Sequence, residues 1–477
     1  MSQITISTVF ILMNNGVLIQ SLLIGFSVVC VKPFVKNLNI KNKFVIHGSS
    51  FSFFWGLISI ISIFSIIIEK YLHIDLYNPY FIFFIVLAFC QLLNNSSKRK
   101  YKFKQKDFFI FIFTTLITYI SSYLNIPRIR GGDGYWLVQT AYSLANNNLN
   151  IGDFAGAGHR APLWILLESF SLMASNYLLF NFQILSAFLV LMILISEIYD
   201  RYRNRNEKII STLFILTLIT SPAYIALSIY FEIHTFVSLL IILLWYFLDK
   251  SKQLTSNYLL NSTLLLLLCS TLSLSRFEGF LLAAPFLYRF FQIEKKLINL
   301  KTYFVLFTLN SFWYFNLINI NITHKSSSEY IFLIVALLPH LSLLIFYLIR
   351  KVLSFKNLLI IEILIIILLL LSSSQFREIC TTFFNIINFY GVWGAAGPLF
   401  LIIIFYLIFQ FIKKSFSREL IQNENISIIL ILGLQLLTFF GNTTLGWRYG
   451  LSSSANRLFY MILPILILDF YKEYKSN

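Results

Sequence analysis

The chain has 477 residues, of which 58% are hydrophobic and 12% charged, about half the charged share of a soluble domain, so water is not its main solvent. Continuous Ile/Leu/Phe runs exclude a β-barrel, whose strands would alternate in polarity. A formal net charge of +17 would point to nucleic acid in a soluble protein, but here the basic residues sit in short loops between apolar runs and read as topology signals.

A hydrocarbon core about 30 Å thick takes roughly 20 mostly apolar residues per helical crossing. Apolar runs predict crossings near 7–30, 50–68, 79–94, 108–126, 178–198, 209–226, 233–248, 257–274, 279–291, 302–319, 330–349, 357–373, 395–412, 426–440 and 457–470. The expectation is an all-α polytopic integral membrane protein with about 13–15 transmembrane helices. The first thirty residues carry no Lys or Arg, unlike the basic leader of a secretory signal peptide, and are expected to stay as a membrane helix. Cys30, Cys90, Cys269 and Cys380 lie in or beside apolar stretches without CxxC spacing, so neither a metal cluster nor a disulfide framework is indicated.

With the amino terminus outside, alternating crossings place 28 of the 37 Lys and Arg residues on one side and nine on the other. The sparse side holds Lys70, Arg128, Arg130, Arg160, Arg276, Lys325, Arg377, Arg448 and Arg457. The positive-inside rule makes the crowded side cytoplasmic. The segment 279–291 is short for a crossing, which places Arg276 and Glu278 at a tight turn or half-helix.

The longest outer loop runs over 127–162 and is the least apolar connection. Within it, Gly-Gly-Asp-Gly precedes Tyr135, Val138, Ala141, Tyr142 and Ala145 at helical spacing, predicting an interfacial helix. A second such segment, Leu163–Met173, follows Pro162, a residue suited to the first turn of a helix.

Asp133 stands out in this loop. A carboxylate held between glycines at the bilayer surface can take a proton from a substrate hydroxyl, and an Asp ahead of an amphipathic run is equally a good N-cap. Asp153, His159 and Arg160 share the loop and can assist, ligate a metal or bind phosphate, or be solvated loop residues. Glu232 and His234 begin a crossing, and Arg276 and Glu278 flank Phe277; ionisable groups at membrane depth are functional candidates, with a structural ion pair as the alternative for Arg276. Arg448 and Arg457 can clamp a phosphate or diphosphate, or snorkel to headgroups.

The order of these features resembles the GT-C superfamily of polyprenyl-phosphate-sugar-dependent membrane glycosyltransferases, which includes protein mannosyltransferases and aminoarabinose transferases. Gly132-Asp133-Gly134-Tyr135 with Ala141-Tyr142-Ser143-Leu144 resembles the family's first outer loop. His159-Arg160-Ala161-Pro162-Leu163 resembles its His-Pro-Pro-Leu element. Ser221-Pro222 ahead of Phe231-Glu232, Ser275-Arg276-Phe277-Glu278-Gly279, and Arg457 ahead of Leu463-Pro464 resemble further signatures. The resemblance spans roughly residues 107–470 of the sequence. Three extra crossings precede the helix at 108–126, and Gly134 stands where the family has a second acid. The organisation expected is therefore 1–106 as additional N-terminal helices and 107–477 as a GT-C-like core with outer loop 127–162.

The resemblance implies inverting transfer of a sugar from a polyprenyl-phosphate donor to a lipid or glycan acceptor at the non-cytoplasmic face of a bacterial inner membrane, with Asp133 as general base. Arg160, Arg276, Arg448 and Arg457 would stabilise the departing phosphate. Asp153, His159, Glu232, His234 and Glu278 complete the candidate substrate-binding set. No cofactor is indicated with certainty, a divalent metal is left open, and no nucleic-acid partner is expected. The rival readings are a transporter or flippase of lipid-linked glycans, which would line a path through several helices, and a polysaccharide polymerase or ligase.

Overall fold

The computed structural model describes residues 4–36, 40–95, 104–124, 131–146, 162–176, 178–179, 181–201, 205–228, 233–250, 258–275, several positions between 279 and 290, 393–415 and 454–476. Among them every regular element is helical: α1 (Ile4–Ser27), α2 (Lys32–Lys36), α3 (Lys43–Leu72), α4 (Pro79–Asn95), α5 (Gln105–Leu124), α6 (Gly131–Ala145), α7 (Pro162–Ser175), α8 (Asn181–Arg201), α9 (Arg205–Ile219), α10 (Pro222–Ser228), α11 (His234–Lys250), α12 (Tyr258–Ser275), α13 (Ala396–Ser415) and α14 (Ser454–Ser476). Two stretches among the described residues, Lys43–Leu72 and Phe182–Asp200, are long and apolar enough to cross a membrane, and a third results if α9 and α10 form one broken span. The expected crossings at 302–319, 330–349, 357–373 and 426–440 lie outside the described residues.

Helix α3 is a hub of the bundle. Its start is set by Asn42, whose side chain accepts the amides of Phe44 (3.0 Å) and Val45 (3.3 Å), satisfying donors that the first turn would leave orphaned. It ends at His73 in the left-handed region (φ 55°), whose N–H donates to the Glu69 carbonyl. The Glu69 carboxylate then accepts the amides of Leu76 (3.2 Å) and Tyr77 (2.8 Å), holding the reversal into α4. With no polar face, α3 belongs inside the bundle, and every residue from Val45 to Ile63 is buried. Small residues mark its closest approaches: a Cβ on Gly48 would meet Ile193 Cδ1 at 3.3 Å, and one on Gly56 would collide with Thr271 Oγ1 of α12. At mid-helix, Trp55 packs against the rings of Phe182 (5.4 Å), Phe54 (5.5 Å) and Phe170 (6.3 Å), and its Nε1 donates to Ser27 Oγ (3.1 Å).

Helix α11 is the second hub, buried from Ile233 to Leu248 and packed on α3, α8, α12 and α14. Its polar cross-links lie at its two ends. Near its start, Thr235 Oγ1 donates to Gln183 Oε1 of α8. Near its end, Trp245 Nε1 donates to Asp469 Oδ1 (2.6 Å), and Asp249 pairs with Lys472 (2.7 Å). Asn42 likewise donates to Glu197 at the end of α8 (3.0 Å), and Lys32 pairs with Asp107 at the start of α5. The Trp245, Asp249, Asn42 and Lys32 pairs all join residues that the charge sorting places on the lysine-rich side.

The rim of the bundle presents apolar rows. Helix α5 exposes Phe108, Phe109, Ile112, Phe113, Leu116, Ile117 and Ile120; α13 exposes Ile402, Phe405 and Phe409. Contiguous apolar rows of this kind reverse the pattern of a water-facing helix.

Three expectations need correction. The segment 209–226 is not one straight helix: α9 and α10 meet at a 65° bend, because Pro222 cannot continue the amide ladder of α9. Ser221 restarts the helix as α10, its Oγ accepting the Tyr224 amide at 3.3 Å and Pro222 fitting the first helical position. The second loop helix, α7, is no surface element: Pro162 to Ser171 are buried around the whole circumference, the polar Glu168, Ser169 and Ser171 included. In α6 the buried stripe is Leu137, Thr140, Ala141 and Leu144, one position off the predicted stripe, and Tyr142 is exposed.

Candidate functional site

Three of the ten candidate residues fall within the described part of the chain. Asp153, His159, Arg160, Glu232, Arg276, Glu278 and Arg448 lie outside it.

Asp133 is carried by α6, which begins at Gly131. The residue is therefore in the first turn rather than ahead of the helix as its N-cap. A carboxylate in a first turn is favoured by the helix dipole, so the position has a structural role available to it without catalysis. Helix α6 docks chiefly on α7.

His234 opens α11 and is fully buried. Two residues on, Phe236 packs against Phe182 (4.8 Å) and Phe51 (5.8 Å), so the start of α11 lies within the aromatic core. Arg457 is in the first turn of α14 and is 8% exposed, a burial uncommon for arginine. One turn further, the Tyr460 hydroxyl lies 3.1 Å from Ser228 Oγ, and its ring packs against Tyr224 at 5.2 Å. Phe459 packs on Trp393 and Phe400, both at 5.3 Å. The Ser221-Pro222 helix and the Arg457 helix, 232 positions apart at the Ser228–Tyr460 contact, are thus packed together, with the start of α11 following α10.

The Ser-Arg-Phe-Glu-Gly segment shows one structural requirement. A Cβ on Gly279 would strike the Leu272 carbonyl oxygen and lie 2.8 Å from that of Ser273. The chain therefore folds back onto the end of α12 so closely that only glycine fits.

Buried polar residues outside the predicted set line α7. Tyr77 donates its hydroxyl to Ser169 Oγ (2.9 Å), and burial raises its pKa. Glu168 is fully buried, and burial pushes its carboxyl up to about 8 against the opposing hydrogen bond from the Leu179 amide. Its signal in the sequence was a single acid inside the apolar run from Pro162 to Ser175. Cys30, Cys90 and Cys269 are free thiols, and Cys380 lies outside the described residues. Among the described residues no group of three or more His, Cys, Asp or Glu side chains is placed to hold a metal ion.

Compared with protein-family models, with curated proteins and with solved structures, the chain matches none.

Proposed function

We propose that the chain is a polytopic membrane glycosyltransferase of the GT-C type, using a polyprenyl-phosphate sugar as donor and a lipid or glycan as acceptor at the non-cytoplasmic face of a bacterial inner membrane. The observation that carries this reading is the order of short signatures along the sequence, from Gly132-Asp133-Gly134 through Ser221-Pro222 to Arg457 ahead of Leu463-Pro464. The packing of α10 on α14 supports it by bringing two of those signatures together. Apolar rows on the rim of the bundle support immersion in lipid.

In this reading the Asp133 carboxylate accepts the proton of the acceptor hydroxyl, and the oxygen attacks the anomeric carbon from the face opposite the phosphate. The carbon–oxygen bond to phosphate breaks and the configuration inverts. Negative charge gathers on the departing polyprenyl phosphate, where Arg457 and the arginines outside the described residues would hold it.

The test is transfer by the purified chain in lipid, offering a panel of radiolabelled polyprenyl-phosphate sugars with membrane extract as acceptor. Label moving from one donor into a new lipid or glycan product is the expected result. Label that crosses the bilayer on its original carrier without changing covalent partner would replace this reading with a transporter of lipid-linked glycans.

A further inference from the structure

The turn between α1 and α2 is held from two sides. Ser50 of α3 accepts the Val31 amide (3.0 Å) and donates to the Ser27 carbonyl (2.9 Å). Asn94, near the end of α4, donates to the Cys30 carbonyl (3.0 Å) and accepts the Phe34 amide (3.1 Å). Cys30 therefore sits in a short backbone segment clamped between α3 and α4. Cys90 lies one turn before Asn94 on the same face of α4, so the helix that grips the Cys30 backbone also presents a thiol to it. The Cys30 and Cys90 side chains hydrogen-bond to each other, and the Ser50 hydroxyl hydrogen-bonds to the Cys30 sulfur. Both cysteines are free thiols.

The two thiols are unequal. Cys30 is part-exposed, whereas Cys90 is buried behind it. An oxidant arriving at the bundle's rim meets Cys30 first. A sulfenic acid formed there would already touch a second thiol, and a resolving thiol in contact is what turns sulfenic acid into a disulfide before oxidation goes further. The pair lies at the end of the bundle where Lys32 meets Asp107, on the lysine-rich side of the charge sorting. If that side faces the cytoplasm, a disulfide there is a transient, redox-dependent bond rather than a permanent staple.

We propose that Cys30 and Cys90, brought into contact by the clamped α1–α2 turn and α4, are a site of reversible oxidation, at which a hydroperoxide oxidises Cys30 and Cys90 closes a disulfide. In the first step the Cys30 thiolate attacks the outer oxygen of the hydroperoxide. The oxygen–oxygen bond breaks, the alcohol (or water, from hydrogen peroxide) leaves with a proton, and Cys30 becomes a sulfenic acid, oxidised by two electrons. In the second step the Cys90 sulfur attacks the Cys30 sulfur, the sulfur–oxygen bond breaks, and hydroxide leaves with the Cys90 proton as water. The bond joins the α1–α2 turn covalently to α4, and a dithiol reductant reverses it.

The experiment treats the purified, reduced full chain in detergent micelles with excess hydrogen peroxide, blocks remaining thiols with N-ethylmaleimide, and maps the digested peptides by mass spectrometry. The expected product is a Cys30–Cys90 linked peptide, lighter by two hydrogens than its two reduced halves and absent after dithiothreitol. It forms roughly tenfold or more faster in the folded chain than in the chain unfolded in dodecyl sulfate, because the fold supplies the proximity. Cys90→Ala leaves Cys30 as a sulfenic acid that dimedone traps, and Cys269→Ser forms the link at the wild-type rate. The wild-type result decides by itself, so a variant that fails to fold does not shelter the proposal. Cys30 and Cys90 both remaining alkylatable, Cys30 passing to sulfinic acid without a link, Cys30 pairing with another cysteine, or equal linking in the unfolded chain overturns it.

Discussion

Replacing Trp55 by alanine removes a fully buried indole from the junction of α3 with α1, α7 and α8. Truncating a buried Trp costs about 3–5 kcal/mol, and losing the Nε1 hydrogen bond to Ser27 Oγ (3.1 Å) adds about 1 kcal/mol. With an unfolding entropy of about 2 cal/mol/K per residue over 477 residues, the combined loss lowers Tm by about 4–6 °C. The chain supplies its own reporters, since Cys90 and Cys269 are buried and react with a fluorogenic maleimide only on unfolding. Trp55→Phe, which keeps most of the apolar area, should recover the greater part of the loss. Phe109→Ala, on the exposed row of α5, should shift Tm by no more than about 1 °C. A Trp55→Ala protein melting within about 1 °C of wild type would refute the placement of α3 at the centre of the bundle.

Gly279→Ala should destabilise by about 1–3 kcal/mol in the same melting assay, because its Cβ meets two backbone carbonyls of α12 rather than a movable side chain. The folded-state pKa of Glu168, about 8, lies above its ordinary value of 4.5, so the folded chain holds that proton more tightly than the unfolded one. Stability is therefore greatest below about pH 4.5 and is lost as the pH rises through about 8; Tm falls over this window for wild type and stays flatter for Glu168→Gln. Arg457→Ala should lower sugar transfer by roughly 10²-fold or more, while Arg457→Lys, which keeps the charge but not the planar fork, restores part of it; equal rates for both variants and wild type would remove Arg457 from the site.

Apolar runs placed most of the described helices to within a few residues, because a buried helix of Ile, Leu and Phe announces itself by length. Helix α3 was the instructive exception. It reaches back to Lys43, beyond the predicted start near 50, because His47, Ser49, Ser50 and Ser52 interrupt the hydropathy yet pack inside. Small and hydroxylated residues let neighbouring helices come close, a requirement invisible to a hydropathy count. The break at Ser221-Pro222 was present as a motif, but its physical meaning, a 65° bend with a new cap, needed the backbone. Helix α7 follows a polar loop and so reads as interfacial, whereas its burial comes from the helices packed around it. Glu168 is a single acid in an apolar run, and its full burial is a tertiary property that the local sequence does not carry.

The most direct test of the central reading compares wild type with Asp133→Asn in the polyprenyl-phosphate-sugar transfer assay, with melting temperature recorded alongside. A general base accounts for roughly 10²–10⁴-fold in rate, so the variant should fold with unchanged Tm and lose transfer by at least that lower factor. Transfer by a folded Asp133→Asn protein at the wild-type rate would contradict the role given to Asp133 and the reaction built on it.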